Sequence, residues 1–164
     1  GRPLLWIFRI FFDFVGYYCC IFVLIMGRIL AIDYGKKRTG LAVTDVLQII
    51  PGGLTTVPTH TLMDYILDYV KREPVERIVV GLPKQMSGQP SENMVRITPF
   101  VNRLRKVLPQ IPVEYVDERF TSVLAHQAMI DAGLKKKDRQ RKELVDEISA
   151  TIILQSYMDS RKRF

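Results

Sequence analysis

The chain has 164 residues, of which 48% are hydrophobic and 25% are charged. This length suits one domain of ordinary size, and the composition is that of a globular protein, so we expect one ordered domain rather than a disordered chain or two domains. The net charge of +7 and the pI of about 9.5 favour an anionic partner, either nucleic acid or an acidic membrane surface.

Residues 1–25 differ in composition from the rest of the chain. A membrane-spanning helix needs about 20 mostly uncharged residues, but Arg9 and Asp13 interrupt this stretch, and no small-residue cleavage site of a secretory signal precedes Gly27. We therefore expect Met26 to be the natural start, residues 1–25 to be an apolar leader outside the functional domain, and residues 26–164 to be that domain. A membrane-associating leader and a core segment are the alternatives.

Both cysteines, Cys19 and Cys20, fall in this leader. The predicted domain therefore has neither disulfide bonds nor thiolate metal sites, which fits a protein of the reducing cytoplasm.

The predicted domain opens with three strands. An apolar run from Ile29 to Ile32 is followed by a basic turn and a second run, Leu41 to Val43, which together predict a hairpin. Gly52 to Val57 supplies a third strand, so the three form an antiparallel meander. Apolar residues at spacings of three and four then predict a helix from Thr61 to Arg72, and Arg77 to Leu82 reads as a buried strand.

The second half alternates helices and strands. We expect a helix from Ser91 to Leu108, a strand from Pro112 to Glu118, a helix from Ser122 to Ala132 and a final helix from Glu143 to Arg161. A meander followed by alternating strands and helices predicts an α/β domain with a mixed five-stranded sheet and helices on both faces.

Carboxylates fall at the ends of two predicted strands. Asp33 ends the first strand, and Asp117 and Glu118 end the last. Functional groups gather beyond the carboxyl ends of strands in α/β sheets, so Asp33 and Glu118 converge if their strands are neighbours. The alternative for Asp33 is a structural carboxylate bonded to the following turn.

A third carboxylate lies near the start of the final helix. Asp146 shares a stripe with Ala150 and Ile153, which turns it toward the sheet, while Glu147 shares a second stripe with Leu154. Periodicity does not choose between the two acids, and ordinary charge complementarity at a helix N-terminus is the alternative for both. Three carboxylates without cysteine suit Mg²⁺ or Mn²⁺ better than Zn²⁺, which points to phosphate chemistry.

Four motifs in order resemble those of the YqgF family, also called RuvX, whose members are associated with Holliday junction resolution and with cleavage of pre-16S ribosomal RNA. The motifs are Asp33–Ala42, Val80–Pro83 with Gly88, Asp117–Thr121, and Lys142 with Asp146, Ala150 and Ile153. The resemblance extends from Met26 to about Arg161. It departs from the family pattern at the leader, at Phe120 and at Ser122.

The resemblance implies an RNase H-like fold and metal-dependent hydrolysis of phosphodiester bonds. Asp33, Glu118 and Asp146 would be both the catalytic residues and the ligands of Mg²⁺ or Mn²⁺, with Asp117 as the alternative to Glu118. A fourth acidic residue, usual in this fold, has no evident counterpart here, so one-metal and two-metal sites both stay open.

Two sets of basic and polar residues are expected to bind nucleic acid. The family motifs imply that Lys36, Arg38, Arg119 and Thr121 contact phosphate or brace the site. A separate basic run lies directly before Asp146, and it is either a phosphate-binding segment or a solvated loop. Its basic residues are Lys135, Lys136, Lys137, Arg139, Arg141 and Lys142.

The leading hypothesis is a metal-dependent endonuclease acting on structured nucleic acid, with 5′-end processing of pre-16S ribosomal RNA as its function in ribosome biogenesis. The alternatives are a Holliday junction resolvase and a nucleic-acid-binding module without catalysis. An actin-like ATPase, which the Asp-x-Gly pattern at Asp33 to Gly35 also permits, would need a second comparable domain. We expect no membrane contact for residues 26–164, and either a monomer or a homodimer.

Overall fold

The computed structural model describes residues 27–83, 92–118 and 127–162, with Pro83, Glu118 and Arg139 described by their backbone alone. The predicted leader, the expected helix start at Ser91, and the motif residues Arg119 and Thr121 lie outside these residues. Among the described helices, none is long and apolar enough to cross a lipid bilayer.

Five strands form one sheet in the order β3-β2-β1-β4-β5. The strands β1, β2 and β3 pair antiparallel, whereas β4 pairs parallel with both β1 and β5. The predicted meander and mixed sheet are therefore confirmed. The strand bounds are Arg28–Asp33 for β1, Arg38–Thr44 for β2, Pro51–Pro58 for β3, Val75–Pro83 for β4 and Val113–Glu118 for β5.

Four helices have both ends within the described residues: α1 (Leu62–Arg72), α2 (Met94–Val107), α3 (Lys136–Arg139) and α4 (Lys142–Arg161). A 3₁₀ turn, Thr59–Thr61, precedes α1, and residues 127–131 are also helical. The predicted helices are confirmed where they are described, with two differences. Helix α2 begins after Asn93, and part of the basic run forms the short helix α3.

Strand alternation sorts the apolar side chains of the sheet into two cores. Leu30 and Ile32 of β1 face α1 and α2, whereas Ile29 and Ala31 face α4. Helices thus cover both faces of the sheet, as predicted. Asp33 has the same parity as Ile29 and Ala31, so this carboxylate lies on the face that carries α4.

Helix α4 lies directly on the backbone of β2 and β3, because glycines leave space at the points of contact. A Cβ atom added to Gly40 would overlap the backbone carbonyl of Asp146, and one added to Gly53 would overlap the side chain of Glu147. Thr56 of β3 donates a hydrogen bond to the carbonyl of Glu143 at 2.7 Å. These contacts fix the position of the first turns of α4.

The other end of α4 is fixed by a polar cluster. The hydroxyl of Tyr157 donates to Glu114 of β5 at 2.7 Å, and Glu114 also accepts a hydrogen bond from Arg77 of β4. Burial raises the pKa of Tyr157, and the neighbouring carboxylate of Glu114 adds to the rise, so this hydroxyl stays a donor at neutral pH. Helix α4 is therefore held against β2 and β3 by its first turns and against β5 by Tyr157.

Replacing Gly40 with Ala should destabilise the fold by about 1–3 kcal/mol or more, since the added methyl group meets backbone that cannot rotate away. Chemical denaturation measures the change. Gly52→Ala is the matched control in the neighbouring strand, because its nearest atom, the carbonyl oxygen of Val43, would lie 3.9 Å from the new Cβ. Equal stability of the two variants would contradict this account of the packing.

Candidate active site

The candidate site lies at the edge of the sheet where β1, β4 and β5 end. Asp33 is the last residue of β1 and is paired across the antiparallel ladder with Gly40 of β2. Gly40 is also the residue on which the backbone of Asp146 is seated. Two acidic residues that are distant in sequence therefore flank one glycine, on the same face of the sheet.

Arg38 holds the side chain of Asp146 in place. Its Nε atom donates to Oδ2 of Asp146 at 2.9 Å, and the two side chains keep 33% and 25% of their accessible surface. Burial raises the pKa of Asp146, while the hydrogen bond and the charge of Arg38 act in the opposite direction. The site thus contains a carboxylate that has lost part of its hydration and is partly compensated by one cation.

The turn between β1 and β2 carries the predicted phosphate-binding residue Lys36 and is braced from two sides. Thr59 donates from its hydroxyl to the carbonyl of Gly35 at 2.7 Å, and its backbone N–H donates to the carbonyl of Lys37. Asn93, at the start of α2, donates to the carbonyl of Tyr34 at 2.8 Å. Lys36 and Lys37 remain exposed on this fixed turn.

The roles of Thr59 and Asn93 do not follow from any pattern in the sequence. Both bind backbone carbonyls of the residues that follow Asp33, so they position the turn through contacts between elements that are remote in sequence. A lone threonine and a lone asparagine in loops carry no pattern that predicts such contacts.

The end of β5 lies at the same edge, but it is not next to β1. Strand β4 separates them, so Asp33 and position 118 are two strand spacings apart, roughly 10 Å, in addition to their offset along the strands. Position 118 has the parity of Glu114 and Val116, which contact α4. Asp117 is exposed and has the opposite parity.

The side chain of Glu147 also faces the sheet, but it lies against Gly53 of β3 and not against β2. The contacts with the sheet therefore distinguish the two acids. The backbone of Asp146 lies against Gly40 of β2, the strand partner of Asp33, whereas the side chain of Glu147 lies against Gly53, one strand further from β1. Among the described side chains, no three acidic, histidine or cysteine residues are grouped closely enough to hold a metal ion. Glu118 is not among those side chains, because the structure describes only its backbone.

The basic run leads directly into α4 and therefore ends near the site. Its described side chains are all exposed to solvent: Lys135, Lys136, Lys137, Arg141 and Lys142. Asp138 is the one acidic residue in the run, and its carbonyl accepts the backbone N–H of Arg141. The exposed ammonium and guanidinium groups leave this segment able to contact a polyanion.

Residues 27–160 match the sequence model described as RuvX, Holliday junction resolvase. The chain belongs to the RuvX family. A relative from Phocaeicola vulgatus with the name "Putative pre-16S rRNA nuclease" is 78% identical over 137 residues, which are 84% of this chain and 99% of the relative. A relative of the same name from Porphyromonas gingivalis is 63% identical over 138 residues, 84% of this chain and 100% of the relative.

A solved structure, T. thermophilus RuvC in complex with a Holliday junction substrate, resembles the chain with a TM-score of 0.51 and 17% identity. The match covers 82% of this chain and 96% of RuvC. At this identity the likeness concerns the fold, and the predicted RNase H-like fold is confirmed. The family membership that the four motifs predict is confirmed as well.

Removing the cation beside Asp146 should change the titration of this carboxyl group. In Arg38→Gln, we expect the pKa of Asp146 to rise further above its ordinary value of 3.8, because burial remains while the compensating charge is lost. An NMR pH titration of the side-chain carboxyl carbon measures it. Arg72→Gln, which removes an exposed ion pair with Asp68, should leave Asp146 unchanged.

The same shift predicts the sign of a stability change. A carboxyl group whose pKa is higher in the folded state binds its proton more tightly there, so the free energy of unfolding falls as pH rises through the window above 3.8. That fall should continue to higher pH in Arg38→Gln than in the wild type. An unchanged or lowered pKa of Asp146 in Arg38→Gln would contradict the role given to Arg38.

Proposed function

We propose that this protein is a metal-dependent endonuclease that hydrolyses phosphodiester bonds in pre-16S ribosomal RNA. The observation that carries the proposal is that Asp33 is the strand partner of Gly40 and the backbone of Asp146 lies against the same glycine, at the carboxyl edge of a RuvC-like sheet. Family relatives named for cleavage of pre-16S ribosomal RNA, at up to 78% identity, support that substrate.

The acidic residues at this edge fit a hard divalent cation, Mg²⁺ or Mn²⁺. Carboxylate oxygens are the ligands that these ions prefer, and the partly buried Asp146 already bonds one positive group, the guanidinium of Arg38. Asp33 and Asp146 would hold the ion together with Glu118, whose parity on β5 favours it over Asp117. A bound divalent cation supplies an activated hydroxide and stabilises the charge on the leaving oxygen.

The remaining residues of the site bind and orient the RNA backbone. Lys36 projects from the braced turn beside Asp33, and Arg38 places a guanidinium group beside Asp146, so both lie within the edge where the scissile phosphate would be held. The exposed basic run before α4 extends this positive surface. Arg119 and Thr121 stay proposed contacts on the strength of the family motif alone.

The purified protein should cut precursor 16S ribosomal RNA in the presence of Mg²⁺ or Mn²⁺ and should lose this activity in EDTA. Asp33→Asn and Asp146→Asn should each reduce the rate by at least the roughly 100-fold that loss of an outer-shell partner costs at a metal site. Asp64→Asn, an exposed change on α1, is the matched control and should retain full activity. Gel analysis of the RNA fragments and circular dichroism measure cleavage and folding.

A four-way DNA junction in the same assay separates the proposed substrate from the one in the family description. Faster cutting of the junction than of the RNA would replace pre-16S processing with junction resolution. Binding of RNA without cleavage under either metal would leave a nucleic-acid-binding module. If Asp33→Asn cuts RNA at the wild-type rate, the assignment of Asp33 to the active site is wrong, although the protein still cleaves RNA.

The choice between the two acids at the end of β5 is open to a direct comparison. Glu118→Gln should reduce cleavage as strongly as Asp33→Asn, whereas Asp117→Asn should reduce it by less than about tenfold, because position 117 has the parity of the opposite face. Single-turnover cleavage rates measure both variants. The reverse order of effects would assign the third carboxylate to Asp117.

A further inference from the structure

Helix α2 carries an unbalanced positive charge. Its sequence, Met94–Val107, contains four basic residues and no acidic one: Arg96, Arg103, Arg105 and Lys106. Helix α1 covers the same face of the sheet and has two acidic and two basic residues, Asp64, Asp68, Lys71 and Arg72. The excess charge on α2 is therefore a property of this helix and not of the whole helical layer.

Three of these four cations have no structural task within the described part of the chain. Arg105 donates to the carbonyl of Val113 and lies over the ring of Tyr115. Four other arginines of the described residues pair with carboxylates, among them Arg28 with Glu73 and Arg77 with Glu114. Arg96, Arg103 and Lys106 are exposed, and the described residues give them no such pair.

The start of α2 is fixed beside the candidate active site. Asn93 bonds to the carbonyl of Tyr34, the residue after Asp33, and the rings of Tyr34 and Phe100 lie 5.1 Å apart. Arg96 is thus within the first turn of a helix that begins at the site. The helix then runs back toward the start of β5, which places Lys106 about 15 Å further along its axis.

We propose that Arg96, Arg103 and Lys106 bind phosphates of the RNA strand that flanks the scissile bond. This inference rests on the proposed nuclease function. Arg96 and Arg103 are seven residues apart and therefore lie on one stripe of the helix, which leads away from the end that Asn93 holds beside Tyr34. Unpaired cations in a row repel one another, and a polyanion laid along them removes that repulsion.

Salt-dependent binding tests this phosphate track directly. The Kd for precursor RNA is measured by fluorescence anisotropy between 0.05 M and 1 M salt, for Arg96→Gln/Arg103→Gln and for its parent. Both proteins also carry Asp33→Asn, so that the RNA is not cut during the measurement. Two lost contacts to single-stranded RNA should reduce the slope of log K against log salt by about 1.4, which weakens binding roughly 25-fold at 0.1 M salt.

Lys71→Gln/Lys162→Gln in the same background is the matched control. It removes the same charge from two other exposed positions, Lys71 in α1 and Lys162 directly after α4, and should keep the wild-type slope. Equal slopes for the two double variants would overturn the track, and would leave the α2 surface to an acidic protein partner instead.

Cleavage kinetics separate this inference from the proposed function. With Asp33 intact, Arg96→Gln/Arg103→Gln should raise KM for long precursor RNA at unchanged kcat, and should cut an RNA too short to reach α2 as well as the wild type does. A lower kcat on the short RNA would overturn the inference, because the arginines would then act at the site itself. If the wild type does not cut RNA but Arg96→Gln/Arg103→Gln still lowers the salt slope relative to the control, the nuclease is refuted and the phosphate track is supported.

Discussion

The contact on which the site depends is the seating of the α4 backbone on Gly40. Because this residue has no side chain, the carbonyl of Asp146 can lie against β2, and the same glycine is paired with Asp33 in β1. One missing Cβ therefore sets the distance between an acid of the first strand and an acid of the last helix. Arg38, two residues before Gly40, then orients the carboxylate of Asp146.

Much of the fold could be predicted from sequence, because apolar periodicity and turn residues report local structure. The runs around Leu30 and Leu41 predict the hairpin, and the spacing of Leu62, Ile66 and Tyr69 predicts α1, since each pattern records which side chains become buried. The four motifs added the fold family. The bounds of elements were less well predicted: α2 begins after Asn93, and the basic run contains a turn of helix.

The candidate site could be predicted only in part, because its geometry depends on strand order and on contacts between distant elements. The backbone of Asp146 lies against Gly40, the strand partner of Asp33, but β4 separates β1 from β5, an order that local patterns do not encode. Helical periodicity could not choose between Asp146 and Glu147, since both face the sheet and only the glycine beneath each one distinguishes them. The braces from Thr59 and Asn93 depend on single hydrogen bonds that leave no periodic trace.

The placement of Asp146 in α4 also has a consequence for biosynthesis. Synthesis proceeds from β1 toward α4, so the sheet residues emerge from the ribosome well before the helix that completes the pair with Asp33. A nascent chain that ends before residue 142 has the strand half of the site and lacks the helical half. Under the proposed function, a nuclease built in this way would stay inactive during translation until α4 is released and docks on Gly40.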